Sequence, residues 1–351
     1  MRSAVSFFLL ASLFASEPQY RQALPGYHYQ FPRDHFDHPE FRTEWWYYTG
    51  NLHTASGTRY GFELVFFRRG QRRGPSDNPS SWRTDDLYLA HLALTDIDGK
   101  RYRYYKRLNR AGPGIAGVSF EQGRIWNGNW ESKWELPAGV QTLSAVAEDI
   151  HLHLRLTPQK PPVINGETGV SQKSEGAGQA SYYVSFSRLS VDGVLNGSSV
   201  TGTAWMDHEW FTSQLAPDQT GWDWFSVQLD NGTELMLFDL RHLDGAIDSH
   251  SAGTYIDRTG RAMHLSRAEF RLDPLEFWAS PQDGARYPIR WRISIPSLRI
   301  VLECSAALPN QELFSEDAIG PTYWEGAVTY SGSASGTGYL EMTGYAKPVR
   351  L

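Results

Sequence analysis

Trp45-Trp46-Tyr47-Tyr48-Thr49-Gly50-Asn51-Leu52, a turn, and Tyr60-Gly61-Phe62-Glu63-Leu64-Val65-Phe66-Phe67-Arg68 make a pattern that the chain states twice. Trp222-Asp223-Trp224-Phe225-Ser226-Val227-Gln228-Leu229, a turn, and Thr233-Glu234-Leu235-Met236-Leu237-Phe238-Asp239-Leu240-Arg241 follow the same plan. Each run is rich in aromatic and β-branched residues and each pair is joined by a turn, which is the signature of a β-hairpin. Asn231-Gly232 reads as a two-residue type I′ turn, whose central positions both need positive φ. Later hairpins correspond in order: Leu94 to Lys100 matches Thr254 to Arg261, and Val200 to Met206 matches Gly338 to Gly344. Two copies of one meandering unit of about 150 residues, with many short hairpin-linked strands, predict in each unit an up-and-down antiparallel barrel or a strongly curved sheet, an architecture whose interior can hold one small ligand. A propeller would repeat at about 40 residues, and no such period is found.

The rest of the chain agrees. Strand patterns run nearly throughout, and the best short helical candidates are His264 to Arg271 and Gln311 to Glu316. Residues 159–180, rich in Pro, Gly, Ser, Gln and Lys, read as a long loop or lid. Of 351 residues, 40% are hydrophobic and 14% aromatic, enough apolar surface for packed cores and against disorder. A net charge of −6 argues against nucleic acid, which calls for a basic footprint. Arg2 precedes an apolar run from Ala4 to Ala15, too short to span a bilayer and suited to an export signal cleaved after Ala15 or Ser16. An uncleaved anchor is the alternative. The expected organisation is a signal segment over 1–16, a first barrel over 27–214 and a second over 215–348, without a later membrane span. Cys304 is the only cysteine, so neither an internal disulfide nor a multi-cysteine zinc site is available.

Phe31-Pro32-Arg33-Asp34-His35, His38-Pro39-Glu40-Phe41-Arg42-Thr43-Glu44-Trp45-Trp46-Tyr47, Met206-Asp207-His208-Glu209-Trp210 and Gly221-Trp222-Asp223-Trp224-Phe225 are long, specific motifs. Through them the chain, from about Tyr27 to Pro348, resembles the double-lipocalin family of carotenoid 1,2-hydratases (CrtC-like), kievitone hydratase-like proteins and secreted AttH-type proteins, most closely the last. The resemblance implies two lipocalin-like barrels, an apolar or isoprenoid-like ligand, an ABC exporter as partner, and no cofactor. It also implies an alternative activity: protonation of a terminal alkene to a tertiary cation that water captures. Hydratase-type sequences carry His-x-Trp and, later, Tyr-x-Asp. His208-Glu209-Trp210 fits the first, whereas Leu237 stands where the Tyr before Asp239 would be. Asp239 is nevertheless the candidate proton donor. The "predicted hydrolase" label attached to such proteins has no Gly-x-Ser-x-Gly elbow behind it here.

Charged residues set inside aromatic strands are the other guide to chemistry. Glu44, His91, Asp223 and Asp239 have large apolar neighbours, and a buried carboxylate needs a partner or a raised pKa. Arg68 and Arg241 are the evident mates. Asp207-His208-Glu209-Trp210 offers acid, imidazole and aromatic wall together, with Asp207 and Glu209 on one side of the strand and His208 and Trp210 on the other. The candidate catalytic residues are therefore His208, Asp239 and Asp207. The candidate binding residues are Glu44, Trp46, Arg68, His91, Trp210, Asp223 and Trp224. Glu44, His91, Asp207, His208 and Asp223 are expected near one another at the mouth or interface of the barrels. Asp34, His35 and His38 could join His208 at a metal, but no paired His spacing on a helix supports one, and none is expected.

Overall fold

The computed structural model describes residues 20–73, 78–80, 82–315 and 320–350. The expected export signal lies outside them. In the first unit the strands are β1 Thr43–Thr54, β2 Arg59–Gly70, β3 Asp86–Asp96, β4 Arg101–Arg110, β5 Ala116–Ser119, β6 Arg124–Asn127, β7 Trp130–Glu135, β8 Val140–Val146, β9 His151–Pro158, β10 Val163–Ile164, β11 Ser171–Gln172, β12 Ala180–Leu195 and β13 Ser198–Phe211. In the second they are β14 Gln219–Leu229, β15 Glu234–His242, β16 Ala252–Ile256, β17 Ala262–Ser266, β18 Arg271–Ala279, β19 Arg286–Ile295, β20 Ile300–Ala306, β21 Glu312–Leu313, β22 Tyr323–Gly332 and β23 Gly336–Thr343.

The pairing order is β4-β3-β2-β1-β13-β12-β9-β8-β7-β6-β5 in the first sheet and β17-β16-β15-β14-β23-β22-β20-β19-β18 in the second. Laid side by side, β1 and β2 occupy the places of β14 and β15, and β13 that of β23. The repeated hairpins are thus equivalent parts of two curled antiparallel sheets, and the protein is two tandem lipocalin-like barrels.

Four local expectations are corrected. Around Asn231-Gly232, Gly232 N–H donates to Leu229 O and Leu229 N–H to Thr233 O, and only Gly232 has positive φ, at 82°. The turn is therefore a wider one closed by a glycine bulge. His264 to Arg271 is not a helix: it is the end of β17, a single 3₁₀ turn at Arg267–Glu269 and the start of β18. Of Gln311 to Glu316, Glu312–Leu313 is strand and Glu316 lies outside the described residues. Residues 159–180 are no free lid, because β10 and β11 both pair with β12 and Lys160 reaches into the second unit.

Alternation decides what faces what. Trp46, Tyr48, Leu64, Phe66 and Met206 fill the interior of the first barrel, and Phe225, Leu237, Trp291, Trp324 and Met342 that of the second. The opposite faces of the same strands meet in a third apolar layer, Tyr47, Val65, Tyr183 and Trp205 against Trp224, Met236, Phe238 and Tyr339. Each such side chain removed from water stabilises the contact by roughly 1.5–3 kcal/mol. Buried Glu234 adds a charged tie, since Lys160 Nζ and Arg188 Nε of the first unit both lie 2.5 Å from its carboxylate.

Where Gly61 faces the second barrel, only glycine fits. A Cβ on Gly61 would lie 2.6 Å from Ala327 Cβ and 2.7 Å from Tyr339 Oη. Gly61→Val is expected to lower stability by about 1–3 kcal/mol, the range for overpacking. Guanidinium denaturation checks it, and an unchanged midpoint would show that the barrels do not pack this tightly.

Candidate functional site

Two polar clusters are built on opposite faces of β1, β2 and β13. The first lies on the interior face. Glu44 is fully buried and its neighbours across the sheet are Arg68 and Trp210. Its Oε1 accepts from His38 Nδ1 at 2.7 Å and His208 Nε2 at 2.9 Å, and its Oε2 from Arg68 Nε at 3.2 Å and the His38 backbone N–H at 2.9 Å. Burial pushes this carboxyl up, but the charge of His38, the two imidazole hydrogen bonds and Arg68 hold it far below the usual carboxylate range. Burial alone would lower the His38 pKa; Glu44 and Asp34 outweigh that and raise it to about 9. His208, whose charged form burial disfavours, has a lowered pKa and acts as a neutral donor. Trp46 stacks on His208 with ring centroids 4.8 Å apart, and Trp210 lies parallel to His38 at 3.9 Å.

His38, Glu44 and His208 are the one group among the described residues whose ligand atoms converge as metal ligands do, within 4.8 Å. The donor set is of the kind zinc accepts. Arg68 on the same carboxylate opposes a second cation there, and Arg68 also donates to the carbonyls of His38 and Phe41. The cluster pins the segment around His38 and Phe41 to the barrel.

The second cluster lies between the barrels, where a cavity of about 1020 Å³ opens. Apolar walls come from Trp45, Val65, Phe67, Trp224, Phe238 and Leu240. Set into them are Glu63, Asp207, Glu209, Glu325 and Glu341, with His91 and Lys173, while Arg68, Arg69, Asp283, Lys347 and Arg350 complete the charged lining. Asp207 accepts from Tyr183 Oη at 2.5 Å, Ser185 Oγ at 2.5 Å and Trp205 Nε1 at 2.6 Å, yet burial outweighs these bonds and raises its pKa to about 7. Burial raises Glu341 to about 8 against a hydrogen bond from Trp222. Glu63 accepts from Tyr323 Oη at 2.8 Å, and His91 Nδ1 lies 2.6 Å from the same hydroxyl. Burial, and then Lys106, lower His91 to about 3, so it is neutral. Glu325 accepts from Tyr47 Oη; burial and the charges of Glu63 and Glu341 raise its pKa well above the usual range.

The five residues expected together are therefore divided. Glu44 and His208, with Trp46, Arg68 and Trp210, form the first cluster. Asp207 and His91, with Trp224, belong to the cavity. Asp223 and Asp239 are cross-strand partners in the second barrel, held by Arg241 Nε at 3.0 Å and Arg267 Nε at 3.0 Å. Burial raises both, Asp239 to about 7. Sequence reasoning missed Glu63, Glu325, Glu341 and Lys173. The acids carried the same signal as Glu44, a carboxylate next to a large apolar residue within a strand, whereas Lys173 sits in a polar segment and carried none.

The AttH-like family model matches residues 22–345. The chain belongs to the AttH-like family. An AttH protein from Nitrosomonas europaea is 35% identical, covering 93% of this AttH-like chain and 100% of its own, with a TM-score of 0.84. Two more distant structures share the fold. Kievitone hydratase from Nectria haematococca is 16% identical over 94% of this chain and 98% of its own, TM-score 0.69. CghA, with Sch210972, is 14% identical over 95% and 96%, TM-score 0.52. None of the curated proteins compared with the chain matches it. No helix among the described residues is long and apolar enough to cross a membrane.

Proposed function

We propose that this AttH-like protein binds one apolar molecule, isoprenoid- or lipid-like, in the cavity between its barrels and carries it outside the cytoplasm to or from an ABC exporter. The observation that carries the binding reading is the cavity, about 1020 Å³ with aromatic and aliphatic walls and a few set polar groups, the usual make-up of a small-molecule site. Export rests on the apolar run Ala4 to Ala15, and the exporter on the family resemblance.

A second reading, cofactor-independent hydration of an alkene, is favoured by the buried acids. A carboxylic acid still protonated near neutral pH can donate its proton to an alkene, whose π electrons form the new C–H bond. Aromatic faces stabilise the resulting cation, water adds to it, and the proton released returns to the carboxylate. Asp239 lies in the second barrel against Arg267, so in this cavity Asp207 is the donor.

Farnesol and an acyclic carotenoid serve as probes. Saturable quenching of the tryptophans at the cavity is expected, weakened about tenfold or more by Leu215→Trp, which fills lining space. Quenching without a mass gain of one water supports the carrier. Hydration that Asp207→Asn slows by about 100- to 10,000-fold supports the enzyme. Absence of saturable quenching by either probe would sink the binding reading.

A further inference from the structure

Glu63, Glu325 and Glu341 gather three carboxyl groups in one place with no cation of the described residues among them. Glu325 and Glu341 are direct cross-strand partners on β22 and β23, an arrangement in which like charges destabilise a sheet. Glu63 comes from the facing barrel, and each of the three raises, or has its own proton affinity raised by, another of the set. Among the described residues none of them has an ion-pair partner, because the deep cation Lys173 lies 3.8 Å from Glu209 instead. Glu63 and Glu325 are each only 1% exposed, and each uses one oxygen to accept a tyrosine hydroxyl. Their second oxygens, Glu63 Oε2 and Glu325 Oε2, are buried with no hydrogen-bond partner. A buried oxygen left without a hydrogen-bond partner is destabilising.

We infer that the ligand of the cavity is an apolar molecule bearing a protonated amine, whose ammonium group is held by Glu63, Glu325 and Glu341. The inference rests on the cavity-binding reading above. An ammonium supplies three N–H donors, matching the two unpartnered oxygens and Glu341. Its carbon chain then lies along Trp45, Phe67 and Trp222, whose faces favour a neighbouring cation. The same cavity already shows this mode of recognition internally: the Lys173 ammonium sits 4.0 Å from the centroid of Phe238 and 5.2 Å from that of Tyr183, beside Glu209. A hard divalent cation fits less well, since it requires six or more oxygens or waters around it, where here the walls are aromatic. A carboxylate ligand at this end of the cavity would bring a further acceptor and negative charge beside Glu63, Glu325 and Glu341 and leave their unpartnered oxygens unmet.

Three probes with one tail separate the possibilities: dodecylamine, dodecanol and dodecanoate, followed by tryptophan quenching and calorimetry at pH 7. Dodecylamine is expected to bind about tenfold or more tighter than dodecanol, with dodecanoate weakest. Its binding should release protons, seen as a dependence of the heat on the buffer's ionisation enthalpy, because the acids must ionise to pair with it. The isosteric double variant Glu63→Gln with Glu325→Gln should lose the amine preference and the proton release while keeping dodecanol binding. Dodecanol or dodecanoate binding as well as the amine would overturn this inference and leave the apolar-cavity reading standing. If none of the three binds, both fall. If the double variant fails to fold, the buffer dependence and the order of the three probes in the unaltered protein decide the matter.

Discussion

Glu44→Gln is expected to lower stability by about 3–5 kcal/mol, the cost of removing one partner from a buried ionic network. The side chain keeps its volume, so packing changes little. What remains is the Arg68 guanidinium, 1% exposed, beside His38, 4% exposed, with their shared counter-charge gone and, among the described residues, only Asp86, 3.0 Å from Arg68, and Asp34, 3.5 Å from His38, left to them. Glu44 also accepts the His38 backbone N–H, so the segment leading into β1 loses its main tether. The measurement is guanidinium denaturation at pH 7, with limited proteolysis around residues 30–42 as a local readout. A loss under about 1 kcal/mol would mean that the cluster behaves like an exposed salt bridge and does not hold the fold.

Stability is expected to be greatest at about pH 4–5, close to the ordinary carboxylate range, and to fall on both sides. On the alkaline side, Asp207 and Asp239 have folded pKa values of about 7 and Glu341 about 8, all raised by burial. A carboxylic acid with a raised pKa binds its proton more tightly when folded. Its stabilisation is complete below the ordinary carboxylate pKa and is lost as pH rises through the folded value. His38, raised to about 9 by Glu44 and Asp34 against burial, acts in the same sense: its contribution is complete below about pH 6.5 and is lost as pH rises through 9. On the acid side, Glu44 is held low by its partners, so its contribution is lost as pH falls below the ordinary carboxylate range. His35 and His91, each lowered to about 3 chiefly by burial, are kept neutral when folded, so they favour unfolding as pH drops below about 6.5. A tenfold difference in proton affinity between the folded and unfolded chain is worth about 1.4 kcal/mol. With several groups acting together, a loss of about 4 kcal/mol or more between pH 6 and pH 9 is expected from urea midpoints. A flat profile over that range would show that the buried acids are solvated and titrate normally.

Much of this molecule can be read without coordinates. Paired aromatic runs around Trp45 and Trp222 imply hairpins, their recurrence implies two units, and period-two alternation implies that each strand has two unlike faces. The buried character of Glu44, His91, Asp223 and Asp239 also follows locally, since each stands among large apolar residues. Reading stops at the partners. Arg68 and Arg241 were legible as mates for these carboxylates as a group, and it is the hairpin register that gives Arg68 to Glu44 and Arg241 to Asp223. Arg267 as the mate of Asp239 was not legible, because it comes from the turn after β17.

Asp207 and His208 show the limit most clearly. Alternation places them on opposite sides of β13 from sequence alone, but only the packed pair of barrels decides that one side is a barrel interior and the other the wall of a cavity. His208 therefore joins Glu44 and His38 in a closed structural cluster, while Asp207 shares a cavity with Glu63, Glu325 and Glu341, residues from distant parts of the chain. Sequence determined the strands, their repeat and the polarity of each position, because those depend on neighbours one or two residues away. Tertiary structure decided which face is covered by what, because two sheets docking back to back is a contact between surfaces that no local period encodes.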